Sequence, residues 1–341
     1  MGEVALRFLQ AGLESAKGTP TAATRILQAR VASANFTIPR EFPEDDLGSL
    51  PSANRHYDGV KDYGFTIEGE TTYEQLPWFL ATAVAGSVSP STVNTTVGRS
   101  VYAPQTTAGG DDLQAATVEF GDDTQEFECE YCEVTRFTLG FDTLTPGQAA
   151  PLNASWEYIT QSMTSNTKTA SLTVPTVETI LGTGGTINLG ATSTAFGSLA
   201  ALTGSLRSFS LNWDNALGRK VFIEDGKTYS LIGRGRRTIT FDAIFEGNAA
   251  GVTRFVEWDN ATEKRARILF KGTTVTGSSP ATDKQLQLDF RYVATSFDPI
   301  GSEDTNTVFA ISGRLLPDTA LGAGDAEIEI TLQNDILTAA T

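Results

Sequence analysis

Side chains able to ligate metals, move protons or attack substrates are few in this sequence, and their spacing argues against such use. Cys129 and Cys132 form a single C-x-x-C. A structural zinc site needs four ligands, and a redox pair needs a strand-to-helix turn. This motif instead lies within 126–134, where acidic and apolar residues alternate as in a strand. Positions three apart on a strand point to opposite faces, so the two thiols are expected to diverge and serve as plain strand side chains. The one histidine, His56, stands in a loop-like stretch. It excludes multi-histidine metal sites and leaves any Ser-His-Asp arrangement dependent on that residue alone. The glycine- and arginine-rich run at 233–237 lacks the later glycine of a dinucleotide fingerprint, and no Walker pattern occurs. The acids at 110–112 and 121–123 lack the spacing of an EF-hand loop. No catalytic residue, cofactor or metal is expected.

The acidic residues are more informative as rows. Glu126, Glu128 and Glu130 share one face of an alternating segment, as do Glu68 with Glu70 and Glu327 with Glu329. Such rows cost self-repulsion and serve either as a wet surface that guards sheet edges or as a surface that repels polyanions. The whole chain of 341 residues carries 25 basic and 41 acidic side chains, a formal charge of −16. A protein that grips nucleic acid by its phosphates needs the opposite sign. No apolar run approaches the ~20 residues of a membrane span, and the N-terminus does not read as a secretory signal.

The elements that position these residues are mainly strands. Phe137, Leu139 and Phe141 alternate with polar residues; so do Phe209, Leu211 and Trp213, and the segments 285–292 and 326–332. Asp225 and Gly226 suit a type I′ turn in a hairpin over 221–231. Two segments favour helix. In the first, Leu76, Phe79, Leu80, Ala83 and Val84 follow Thr72 and Gln75, with Pro77 favouring a start at Leu76; the second is 249–261, with Val252, Phe255 and Val256 as its stripe.

An internal duplication follows. A shift of 176 residues places Tyr63 on Ile239, Phe65 on Phe241, Leu76 on Val252, Phe79 on Phe255 and Leu80 on Val256. Upstream, Phe36 aligns with Phe209; downstream, the Phe137 to Trp156 spacing matches that from Phe290 to Phe309. The chain is thus divided into an N-terminal arm (1–29), a first copy (30–162), a linker or extended hairpin (163–203), a second copy (204–316) and a C-terminal arm (317–341). Apolar Leu6, Phe8, Leu9, Ile328 and Ile330 suit the arms to strapping neighbours together.

The stretch from Gly12 to Arg25, the strand through Phe36, the long loop, the strand from Tyr63 to Glu70 and the helix from Leu76 together resemble tail tube proteins (major tail proteins) of long-tailed, non-contractile bacteriophages. The segments 209–215 and 286–298 fit a second copy of that unit. The resemblance implies a mainly β fold of two tandem tail-tube domains. Each would be a two-sheet antiparallel β-sandwich or barrel segment with one flanking helix, joining neighbours into a ring-shaped β-barrel. It implies stacked rings that conduct DNA without binding it, in a virion assembled in the host cytoplasm, with tape-measure, terminator and tail-tip proteins as partners. Two tube domains per chain make a trimer with pseudo-sixfold symmetry; without duplication the ring is a hexamer. Glu68, Glu70, Glu126, Glu128 and Glu130 become candidates to face the lumen. The loops after the first strand of each copy become candidates for ring stacking: Glu44, Asp45 and Asp46, then Phe222, Glu224, Asp225, Gly226 and Lys227. A β-sandwich adhesin or carbohydrate-binding module is the alternative, which exposed tryptophan clusters would favour. A hydrolase is weakened by the single histidine.

Overall fold

Period-two alternation does build this molecule. The computed structural model describes residues 6–46, 53–86, 88–106, 113–142, 149–223, 228–303, 306–322 and 324–338. The fold is mainly β, every pairing between strands is antiparallel, and the two α-helices among the described residues are too short to cross a membrane. The first part of the chain runs β1 (Phe8–Leu13), β2 (Arg25–Ile26), β3 (Arg30–Thr37), β4 (Arg40–Glu41), β5 (Tyr57–Asp58), β6 (Asp62–Glu70), α1 (Leu76–Ala83), β7 (Ser91–Asn94), β8 (Val97–Tyr102), β9 (Ala116–Gly121), the long β10 (Glu126–Phe141), β11 (Asn153–Ile159) and β12 (Ser162–Ser165). The second runs β13 (Gly185–Ala191), β14 (Ala200–Ala201), β15 (Leu206–Asp214), β16 (Leu217–Lys220), β17 (Leu231–Arg234), β18 (Thr238–Glu246), α2 (Ala249–Asp259), β19 (Lys264–Thr274), the longest strand β20 (Asp283–Glu303), β21 (Asn306–Leu316) and β22 (Ile328–Asn334).

The C-terminal halves of β10 and β20 belong to one continuous sheet, in the order β3-β6-β11-β10-β15-β18-β21-β20. Their N-terminal halves enter two further sheets, β2-β1-β9-β10-β12 and β14-β13-β19-β20-β22-β8-β7. The main apolar core lies between, with Ile67, Trp156, Phe137, Leu211 and Phe241 supplied by the long sheet and Val118, Ile268, Leu288 and Ile330 by the others. α1 starts at Leu76 with Pro77 in its first turn, where the missing N–H costs nothing, and Thr72 Oγ1 accepts the Gln75 N–H at 3.3 Å.

The same succession of strands and pairings occurs twice. The order β3-β6-β11-β10 recurs as β15-β18-β21-β20, and β2-β1-β9-β10-β12 recurs as β14-β13-β19-β20-β22. A helix follows β6 and β18, and a short hairpin follows β3 and β15. Among the described strands only β7 and β8 have no counterpart; they extend the second copy's sheet beside β22.

This arrangement moves the expected boundaries. The N-terminal arm holds β1 and β2, which pair within the first copy; the linker holds β13 and β14, which do the same in the second; the C-terminal arm holds β22. Leu9, Ile328 and Ile330 are buried in the chain's own core, so they are not free to strap a neighbour, whereas Leu6 is exposed. The registers move too. Phe36 faces Tyr63 as Trp213, not Phe209, faces Ile239. Phe137 faces Trp156 as Phe297, not Phe290, faces Ile311. The first move, from Phe209 to Trp213, is four residues, and strands of period two match at any even shift; the second, from Phe290 to Phe297, is seven, because the bulge between Ala294 and Ser296 adds a residue that pattern alone does not reveal.

Candidate functional site: a polar trough and two open edges

The long sheet turns its apolar residues to the core and its polar ones outward. That outer face forms a concavity of about 810 Å³ lined by residues from seven strands of the sheet. One transverse row runs Glu70, Asn153, Gly140, Ser210, Asp242, Ser312 and Ser296, each directly opposite the next. Small polar side chains therefore make most of the wall. On the six central strands the carboxylates of Asp62, Glu68, Glu70, Glu157, Asp214, Asp242 and Glu246 share this face with the guanidiniums of Arg136 and Arg314, and Arg207, from the β15 bulge, pairs with Glu246 at 3.1 Å. Hydrogen bonds hold the acids in place. Asn212 Nδ2 and Ser312 Oγ donate to Asp242 at 2.9 and 2.5 Å, and Ser155 Oγ donates to Glu68 Oε1 at 3.5 Å. Arg30 Nη2 stands 3.6 Å from Glu68, and Arg136 Nε is 3.0 Å from Asp214. The surface is acidic on balance and offers a polyanion little to hold.

The five acidic candidates separate. Glu68 and Glu70 lie on the trough, but Glu126, Glu128 and Glu130 lie on the N-terminal half of β10, in the first copy's other sheet. There they have local work: the Lys168 N–H donates to Glu126 at 2.8 Å and Asn166 Nδ2 to Glu128 at 2.8 Å. Burial raises the Glu128 carboxyl above its ordinary value, an effect eased by Asn166 and reinforced by Glu119 across the strand. The cysteines also depart from expectation. Both thiols are buried in the core, because Tyr131 takes a φ of +52° and the register slips between Cys129 and Cys132. The bulge adds a residue, so both side chains return to one face. Burial pushes both thiols well up, which suits packing rather than reactivity.

The two hairpins leave the same end of the long sheet, since β3 and β15 are four antiparallel steps apart and run in the same direction. In the first, Asp45 accepts Arg55 at 3.0 and 3.1 Å, Glu44 and Asp46 are exposed, and Phe42 and Tyr57 expose their rings. The second is braced by Arg219, 2.7 Å from Asp62, and by Tyr229, which is buried against Tyr131. Beyond that base Phe222 and Ile223 are exposed. Glu224, Asp225, Gly226 and Lys227 lie outside the described residues, as does the acidic run at 110–112.

The long sheet ends on both sides in strands with one partner each. Among the described residues β3 pairs only with β6, and the C-terminal half of β20 only with β21. The importance of these edges is not visible in sequence patterns, because a half-buried strand reads the same with one neighbour or two. No grouping of three or more potential metal ligands occurs among the described residues. Three of the four tryptophans, Trp78, Trp156 and Trp213, are buried, so they form no sugar-binding platform. Compared with known proteins, the chain matches no family model and no curated sequence.

Proposed function

We propose that this chain is the tail tube protein of a long-tailed, non-contractile bacteriophage. The observation that carries the reading is the eight-stranded sheet, in which one four-strand order occurs twice, with an acidic polar trough on its free face and, at each side, a strand that has a single partner among the described residues. A sheet with two open edges is an aggregation hazard unless something covers them, and closure into a ring removes both. In this proposal each chain contributes two tube domains, three chains form a ring with pseudo-sixfold symmetry, and the troughs become the lumen. DNA passes along a wall of small polar and acidic groups without adhering. The hairpins at one end of the sheet meet the next ring. Tape-measure, terminator and tail-tip proteins are the partners this role requires, and the chain's place is the virion after assembly in the host cytoplasm. The role is structural rather than catalytic.

Negative-stain microscopy with light scattering tests this reading. Stacked rings with a central hole and a ring mass of three chains are expected. Six chains per ring would remove the two-domain arithmetic, and compact monomers at all concentrations would remove the tube.

A further inference from the structure

The seam between the two copies is a worked example of the contact that the outer edges lack. Within the chain, the C-terminal half of β10 pairs with β15, placing Arg136 opposite Asp214, Phe137 opposite Trp213 and Thr138 opposite Asn212. The counterpart of β10 is β20 and the counterpart of β15 is β3, and both counterparts stand at the open edges. The correspondence reaches fine detail. β10 carries a bulge between Val134 and Arg136, and β20 carries one between Ala294 and Ser296. In each, the extra threonine turns its hydroxyl to the adjacent strand: Thr135 Oγ1 donates to the Glu157 carbonyl and Thr295 Oγ1 to the Ser312 carbonyl, both at 3.1 Å.

We infer that the C-terminal half of β20 in one copy of this chain pairs with β3 of the next in the register of the internal seam, with Ser296 opposite Thr37, Phe297 opposite Phe36 and Asp298 opposite Asn35. The inference deepens the tube reading, on which it rests for closure of the ring. The register holds as far as Asp298, since β20 bulges between Asp298 and Gly301.

Burial supports it independently. At the internal seam Phe137 and Trp213 are each 2% exposed, with ring centroids 5.2 Å apart; Phe36 and Phe297, their counterparts, are only partly buried at the edges. Pairing would bury them against each other. The helices tell the same story. Every residue of α1 is buried, and Asn215 reaches across the seam to donate to the Ala83 carbonyl at 2.8 Å. On α2, Val252, Phe255 and Val256 are 57%, 43% and 51% exposed. The residue equivalent to Asn215 is Ile38 of the incoming copy, whose apolar side chain would arrive beside that stripe. On the trough face, Asn35 opposite Asp298 keeps the row polar and offers the carboxylate an amide donor.

Disulfide trapping tests the register. Asn35→Cys with Asp298→Cys changes two exposed residues and leaves the core untouched, while native Cys129 and Cys132 are too deeply buried to compete. Mild oxidation of assembled full-length protein is expected to give covalent multimers up to a closed trimer on non-reducing gels. An offset control, Asn35→Cys with Ser296→Cys, is expected to cross-link at least about tenfold less, as a two-residue displacement moves the β-carbons beyond disulfide reach. Rings that show no cross-link, or that cross-link equally in the offset pair, overturn the register and leave the tube reading standing. Register-specific cross-links in open chains without a central hole support the junction and overturn the tube. Protein that stays monomeric at all concentrations overturns both.

Discussion

Asp318 is held by the Arg265 guanidinium at 2.6 Å through both oxygens, and one oxygen also accepts the Ala320 N–H at 2.9 Å. Burial alone would raise this carboxyl; the guanidinium and the N–H outweigh it and hold the group below the usual aspartate range. A carboxyl depressed in the folded state contributes stability that is present above its unfolded value, about 3.9, and lost as pH falls through its folded value. Asp318→Ala takes away the acceptor of Arg265 Nε and Nη2 and leaves the largely buried guanidinium only the Thr194 carbonyl, 2.8 Å from Nη1, so it is expected to cost about 3 kcal/mol in urea unfolding at pH 7. The difference from wild type should shrink as pH falls from about 3.9 through the lower folded value, below which both proteins lack the carboxylate. A constant difference down to that pH would show that packing, not charge, holds the site. The pair was not legible in sequence: Arg265 and Asp318 are brought together only because β19 runs beside the turn that precedes β22.

Among the elements, the β10–β15 pair joins the copies and depends on close backbone approach. A β-carbon on Gly140 would lie 2.5 Å from the Phe209 carbonyl oxygen and 2.9 Å from Ser210 Cα, atoms that cannot swing aside. Gly140→Val is therefore expected to destabilise by about 2 kcal/mol and to open the seam to proteolysis. Gly218→Ala, where nothing lies within 4 Å, should stay within about 0.5 kcal/mol of wild type. Equal losses from the two substitutions would point to a general glycine effect rather than to the seam. Much at this scale was readable beforehand. Alternation located β10, β15, β20 and β22, the 76–80 spacing located α1, and the shift of 176 residues located the shared β6–α1 and β18–α2 units. That β1, β2, β13 and β14 belong to the copies is not legible in the sequence, because such strands acquire their place only from their partners.

For the whole molecule, the proposed tube makes separate demands on the hairpins and the trough. Phe222→Ser with Ile223→Ser removes exposed apolar surface without touching the core. The variant is expected to keep its melting temperature and form single rings that fail to stack; normal-length tubes would clear the hairpin of that role. Glu70→Lys with Asp242→Lys reverses charge on the trough. Assembled tubes of this variant should retain DNA at low salt and release it as salt rises, while wild type retains none. Tubes that ignore DNA in both forms would place the lumen elsewhere.

The sequence by itself determined that the chain is mainly β, that it is acidic, and that a strand-turn-helix unit recurs, since side-chain period, charge and spacing are properties of the chain alone. The tertiary structure decided which face each acid occupies, which register and bulges align the copies, and which strands are left without a second neighbour among the described residues. Periodicity states that a residue faces in or out. It does not state which strand lies alongside, and that choice is made by long-range packing: the bulge at Tyr131 sends both cysteines to the core, and the bend of β10 and β20 divides each strand between two sheets, separating Glu126, Glu128 and Glu130 from Glu68 and Glu70.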